Sequence, residues 1–390
     1  MGRGEKRTIA LTGENSHVVE ISAGQGSFSI GALGMNAKKF DVLVDPALPI
    51  NWNCFNSFFT GHGEENASLY PLGDWPRFFY YWGNDSNFIH WSEKRKIEDF
   101  TWCPNKPISE DLSNSNINRL SLQIEKNRLE LQLGRHQHLS LTGNLEKCVI
   151  LNITEIGSLS LSPTLSKKES KPYQLPSFEA LKKLRSVSIY VEPLGQAFDC
   201  ASLLQFEHLK SLSLSGNLSN LQSLEKLKNL ERLAIRYAPN LDHLPALKNW
   251  GKLTSFIGWN IETTKGKLLR SEVKQLAKER KVEYSSVTQL RTLIWFTTEY
   301  GMPFSAWTGK KARLAVKNYK AAVKRLKKAS SKKEIKAVLI EFAKAFNTLP
   351  EIETTEREAI GEAIDQLRQV PSLEIEAKKA IEWFDKVRTY

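Results

Sequence analysis

The chain has 390 residues, 41% of them hydrophobic and 25% charged, with a formal net charge of +12. Such a balance suits a globular protein with two or three cores, and no apolar run approaches the ~20 residues of a membrane-spanning helix. The opening MGRGEKRTIALTGENS has no secretory apolar core, and Cys54, Cys103, Cys148 and Cys200 form no C-x-x-C pair. Reduced thiols in a cytoplasm are expected, not a disulfide framework or a zinc site.

Residues 1–115 are the least periodic part. Short runs with strand character (HVVEI, SFSIGAL, FDVLV) precede an aromatic-dense stretch, in which Trp52 to Trp102 holds fifteen of the 38 Phe, Trp and Tyr residues. Its densest piece is DWPRFFYYWGN, with Phe78, Phe79, Tyr80, Tyr81 and Trp82 in succession. An extended backbone points alternate side chains to opposite faces, so five aromatics in a row serve two faces. Burial of both faces in a small β-rich domain is expected, with an exposed binding patch as the alternative.

From Arg119 to Leu161 a beat appears in RLSL, RLEL, HLSL, CVIL and SLSL. The apolar pairs Leu120/Leu122, Leu129/Leu131, Leu139/Leu141, Val149/Leu151 and Leu159/Leu161 recur at steps of nine and then ten. Each pair predicts a minimal strand with two side chains inward and one outward. The residues between are Ser121, Glu130, Ser140, Ile150 and Ser160, polar in four cases of five. Ten residues are too few for a full circuit of a leucine-rich coil. The beat therefore predicts two strands per coil on opposite walls of a narrow solenoid, or an antiparallel meander.

From Leu184 the beat lengthens to LRSVSIY, LKSLSLSGN (from Leu209), LERLAIR (from Leu230) and LTSFIGW (from Leu253), with helix-like letters between. KVEYSS predicts one more strand, with Val282 and Tyr284 inward. Leu209, Leu212, Leu214 and Asn217 match L-x-x-L-x-L-x-x-N, and on these residues the stretch 184–284 resembles a leucine-rich-repeat protein. The repeats are irregular: Leu218 comes one residue early, Ala238 stands where Asn is usual, and Gly258 takes an inward position. The resemblance implies stacked inward leucines, Asn side chains satisfying backbone groups at turns, and caps at both ends.

The C-terminal region predicts amphipathic helices. ARLAVKNYKAAVKRLKKA sets Leu314, Tyr319 or Val323, and Leu326 near one face and lysines on the other. Ser331 with Glu334, and Thr355 with Glu358, read as capping boxes, and Ser372 as the cap of a last helix containing Ala380, Trp383 and Val387. Gly309–Lys336 holds twelve Lys/Arg against one acid, whereas the final forty residues hold ten acids against six bases. Charge so segregated predicts either a binding face or a basic helix docked near the acidic helices of 351–385.

No catalytic arrangement stands out. Histidines end at His243 and cysteines at Cys200, so the helical region has neither. Some bacterial leucine-rich-repeat proteins carry a C-terminal cysteine ubiquitin ligase, and this chain lacks the thiol for it there. Cys200 reads as a small core thiol. Gly24, Gly26, Gly31 and Gly34 lack the lysine and spacing of a phosphate loop and read as turns. His62, Glu64 and Glu65, with Asp74 and His90, do not make a convincing ligand set. His136 and His138 are expected on a solvent-facing turn.

What remains is surface. On the outward strand positions Tyr190, Arg232, Arg236 and Trp259 are the residue types enriched at binding hot spots. Lys317, Lys320, Lys324 and Lys328 are the candidate contacts on the basic helix. The expectation is an α+β chain with an aromatic β-rich cap over 1–115, an irregular β-solenoid grading into leucine-rich repeats over 116–287, and a helical bundle over 288–390. Its expected role is non-enzymatic protein–protein recognition by an intracellular adaptor, an immunity-type or regulatory binder of an acidic partner, without cofactor, metal or membrane. The alternative is nucleic-acid binding through 309–336, and a third is an enzyme with a site in the N-terminal region.

Overall fold

The computed structural model describes residues 6–22, 25–56, 76–166, 169–301, 304, 307–349 and 351–390. The chain divides into two compact units, residues 1–290 and 291–390.

The first unit opens with a hairpin, β1 (Lys6–Gly13) antiparallel to β2 (Ser16–Ser22). The strands that follow are β3 (Ser27–Ala32), β4 (Val42–Val44) and β5 (Phe78–Tyr81). Helix α1 (Phe88–Lys94) leads to β6 (Ile97–Trp102), β7 (Ile108–Leu112), β8 (Ile117–Ile124), β9 (Leu129–Gly143) and β10 (Cys148–Pro163). Next are β11 (Ser186–Tyr190), β12 (Phe198–Asp199), β13 (Ser211–Ser215), β14 (Leu218–Ser219), β15 (Arg232–Arg236) and β16 (Ser255–Trp259). Helix α2 (Thr263–Glu279) and β17 (Tyr284–Thr288) complete the unit. Thirteen of these strands form one sheet with all pairs parallel, in the order β17-β16-β15-β13-β11-β10-β9-β8-β6-β5-β3-β4, with β7 beside β9. β12 and β14 pair separately.

The expected class, α+β with an irregular β-solenoid or leucine-rich-repeat array and a distinct N-terminal cap, is corrected by this topology. The chain has one large, consecutively ordered parallel sheet with helical segments beside it, an α/β organisation, and the N-terminal strands β3, β4, β5 and β6 belong to that sheet. Inward residues Phe28/Ile30, Phe79/Tyr81 and Phe100/Trp102 line up in register with Leu120/Leu122, and all are buried. Aromatic side chains at these positions disguised the alternation. One apolar core runs from Ile9 to Val287.

The ten-residue beat is a bend. β9 and β10 are 15 and 16 residues long. The first half of β9 pairs with β7 and the second half with β8, so each strand has two limbs. The neighbour in register lies nineteen or twenty positions away, as Leu120, Leu139 and Leu159 show. All these pairs are parallel, not a meander. The bends carry Gly134 and Gly157, where a Cβ would fall 2.5 Å from the Ser113 carbonyl oxygen and 2.6 Å from that of Gln137.

Two registers differ from expectation by one residue, which turns every side chain over. In β10, Cys148 and Ile150 face inward opposite Leu129 and Leu131, and Leu151 is 52% exposed. In β17, Ser285 and Val287 face inward opposite Phe256 and Gly258, and Tyr284 is 60% exposed. A side chain at Gly258 would crowd Ile261, whose Cδ1 would lie 2.8 Å from its Cβ and would have to shift.

Among the described residues the second unit has five helices: α3 (Leu293–Tyr300), α4 (Gly309–Leu326), α5 (Lys332–Lys344), α6 (Thr354–Arg368) and α7 (Ala377–Asp385). They share a core that includes Phe304, Tyr319, Leu326, Phe342, Phe346, Ile364 and Trp383. Ser331 caps α5 by accepting from the Glu334 amide. The next two starts shift from expectation. Glu353 with Glu356 forms the capping box of α6, and Glu376 precedes α7.

Candidate interaction surfaces

Strand alternation gives the sheet a second face that the core does not use. Its middle row runs in register through Thr101, Ser121, Ser140, Ser160, Ser188 and Ser213, then Ala234, Ile257 and Ser286. Small hydroxyls make this stretch flat and polar, with rungs about 4.8 Å apart.

The candidate binding residues stand where that carpet ends. Tyr190, Ser215, Arg236, Trp259 and Thr288 form one row, and Ser186, Ser211, Arg232, Ser255 and Tyr284 another. Tyr190 and Trp259 therefore lie three rungs apart, about 14 Å, with Arg236 between them. Tyr190 is 48% exposed and Trp259 37%. Arg236 Nη1 donates to Ser213 Oγ at 3.1 Å, which lays the guanidinium along the sheet. Arg232 approaches Glu283 at 3.7 Å, a solvent-exposed pair worth little to stability. Tyr237 stands edge-on to Trp259 at 5.0 Å, which restricts the indole. Gly216, Tyr237, Asn260 and Gln289 each follow a strand end with positive φ, so these strands leave the sheet through similar left-handed turns. Tyr284 joins the surface although it was expected inward. The polar Ser285–Ser286 pair beside it leaves both faces open to the alternation rule, and only pairing with β16 decides.

At the other end of the sheet the five aromatics split as extended backbone requires. Phe79 and Tyr81 are buried and Tyr80 is 39% exposed on the outer face, so burial of both faces is not what the chain does. Tyr80 and Trp82 line a groove of about 600 Å³ with Phe40, Met35 and Lys39. Phe40 packs edge-on to Trp82 at 5.1 Å and over Gly31, whose Cβ would meet its ring at 2.6 Å.

In the second unit α4 buries Ala315, Tyr319, Ala322, Val323 and Leu326, and the Tyr319 hydroxyl donates to Gln366 at 2.7 Å. Lys317, Lys320, Lys324 and Lys328 are exposed. The basic segment packs on the stretch 351–385 through its apolar face, but among the described residues the two pair in charge only at Lys311–Glu356, 3.0 Å apart. Lys320 pairs with Glu299 at 3.4 Å and Arg325 with Glu341 at 2.6 Å, both outside that stretch.

The titratable groups considered as chemistry are placed as follows. Cys103, Cys148 and Cys200 are buried and Cys54 partly so, all unpaired. Burial pushes the thiols of Cys54 and Cys148 up to about 12 and that of Cys103 to about 11, and raises Cys200 further. His90 is exposed beside Glu93 at 3.1 Å. Gly24, His62, Glu64, Glu65 and Asp74 lie outside the described residues. Among the described residues no three His, Cys, Asp or Glu side chains converge as a metal site, and no helix is long and apolar enough to cross a membrane. His136 is not on a solvent-facing turn: it is 1% exposed, with Nδ1 2.7 Å from the Ile117 carbonyl oxygen. Compared with known proteins, the chain matches no family model, no curated protein and no solved structure.

Proposed function

We propose that the chain acts by non-enzymatic recognition of another protein, gripped by the outer face of β11–β16. The observation that carries this is the row Tyr190–Ser215–Arg236–Trp259, with Arg232 on the adjacent row. Large amphipathic side chains at fixed rungs of a rigid sheet lose little conformational freedom on binding, and Trp, Tyr and Arg supply most hot-spot energy. The flat hydroxyl carpet beside them permits close approach without a steric barrier. Two guanidiniums on this face, one held along the sheet, suit an acidic partner, which makes the chain an adaptor or a regulatory, immunity-type binder. Four unpaired cysteines agree with a reducing cytoplasm.

The test is affinity capture from the native host with nuclease present, using wild type and an Arg232→Ala/Arg236→Ala/Trp259→Ala variant. Truncation of hot-spot residues costs about 2 kcal/mol or more each, so the variant should lose the captured protein while its thermal midpoint holds. Capture that persists unchanged in the variant removes the proposal.

A further inference from the structure

The helical unit carries a second surface of different chemistry. Lys310, Arg313, Lys317, Lys320, Lys324 and Lys328 are all exposed on α4 and its last turn. At about 100° per residue they fall within an arc of roughly 80°, which no other residue of the segment shares, and the buried Ala315, Tyr319, Ala322 and Leu326 lie roughly opposite. The stripe is about 27 Å long at 1.5 Å per residue, one cation every ~5 Å. Duplex DNA carries one negative charge per ~1.7 Å of axis with both strands counted, so a straight row of cations laid along it meets phosphates of both strands where they flank a groove.

The residue types discriminate between partners. Protein interfaces enclose an apolar or aromatic centre and are depleted in Lys; this stripe has no apolar side chain and is Lys at five of its six positions. Among the described residues an acid pairs with only one of the six, Glu299 with Lys320. Hydrated ammoniums that need only displace counterions suit a phosphate backbone. A helix of 10–12 Å diameter fits beside the backbone of the B-form major groove, about 12 Å wide, and not into the narrow A-form one. We propose that this face of α4 binds the phosphate backbone of duplex DNA without reading its sequence. It shares no residue with the face of the sheet proposed above to bind a protein.

Fluorescence anisotropy of the full chain with a labelled 20-base-pair random DNA duplex, between 50 and 200 mM NaCl, tests this. Six phosphate contacts give a slope of log affinity against log salt of about −5. Each of Lys317→Gln, Lys324→Gln and Lys328→Gln should make it less negative by about 0.9, and the triple variant by about 2.7. Circular dichroism should be unchanged, since all three side chains are exposed. The sheet variant Arg232→Ala/Arg236→Ala/Trp259→Ala should bind the duplex as wild type does, so failure of one proposal is distinguishable from failure of the other. No binding at 50 mM salt, a slope unmoved in the triple lysine variant, or poly-L-glutamate of matched charge bound as tightly as the duplex would each overturn the assignment, the last in favour of an acidic protein.

Discussion

Lowering the pH should weaken the first unit through one buried side chain, His136. Its Nδ1 sits 2.7 Å from the Ile117 carbonyl oxygen, so Nδ1 carries the proton and the neutral ring leaves Nε2 as an acceptor. Nε2 is buried and has no hydrogen-bond partner among the described residues. Protonating it would place a charge and an orphan N–H in the core, and desolvation accordingly lowers the histidine's pKa. The sign follows: below the unfolded value of about 6.5, the unfolded chain takes up a proton that the folded chain refuses, so stability falls with pH. The limit, reached when the folded chain takes up none, is about 1.4 kcal/mol at pH 5.5 and close to zero at pH 7.5. Urea unfolding at these two pH values, wild type against His136→Asn, measures it. Asn keeps a donor for the Ile117 carbonyl and does not titrate, so the variant is weaker at both pH values but should lose less on acidification. His138, also lowered by desolvation and by Arg119, contributes to both proteins and cancels. An equal loss in wild type and variant would refute the reasoning.

Two further outcomes follow from single atoms. Gly216 has φ +110° and its Cβ would lie 2.0 Å from the Val191 carbonyl oxygen, so Gly216→Ala should cost about 3 kcal/mol or more in chemical unfolding. Gly251→Ala, where nothing lies within 4 Å, should stay within about 0.5 kcal/mol, and equal costs would contradict the turn geometry. A disulfide reagent at pH 8 should leave the folded chain's thiols almost unmodified and titrate all four after denaturation, because burial raises each. Fast labelling of Cys148 or Cys200 would show that their surroundings open.

Where strand pattern and burial coincide, residue types were sufficient. The S-x-S and R-x-x-x-R positions around Leu212, Leu214, Leu233 and Ile235 declare which side chains point outward, and Tyr190, Arg236 and Trp259 do share a row. The lysine face of α4 was equally legible, since helix geometry is local. The pattern is silent where neighbours are chemically alike. In CVIL every residue tolerates the core, so Cys148/Ile150 and Val149/Leu151 compete on equal terms until β9 selects the first pair.

Local chemistry alone thus determined the alternation, the amphipathic helices and the segregation of charge, because each depends on residues within one or two turns of each other. Tertiary structure decided what depends on partners about twenty residues away. It placed the aromatic strands β3, β5 and β6 in the same sheet as the leucine strands, set two registers, and sealed His136 inside. Backbone hydrogen bonding between parallel strands makes those choices, and it involves groups that every residue except proline carries, so side-chain identity does not announce them.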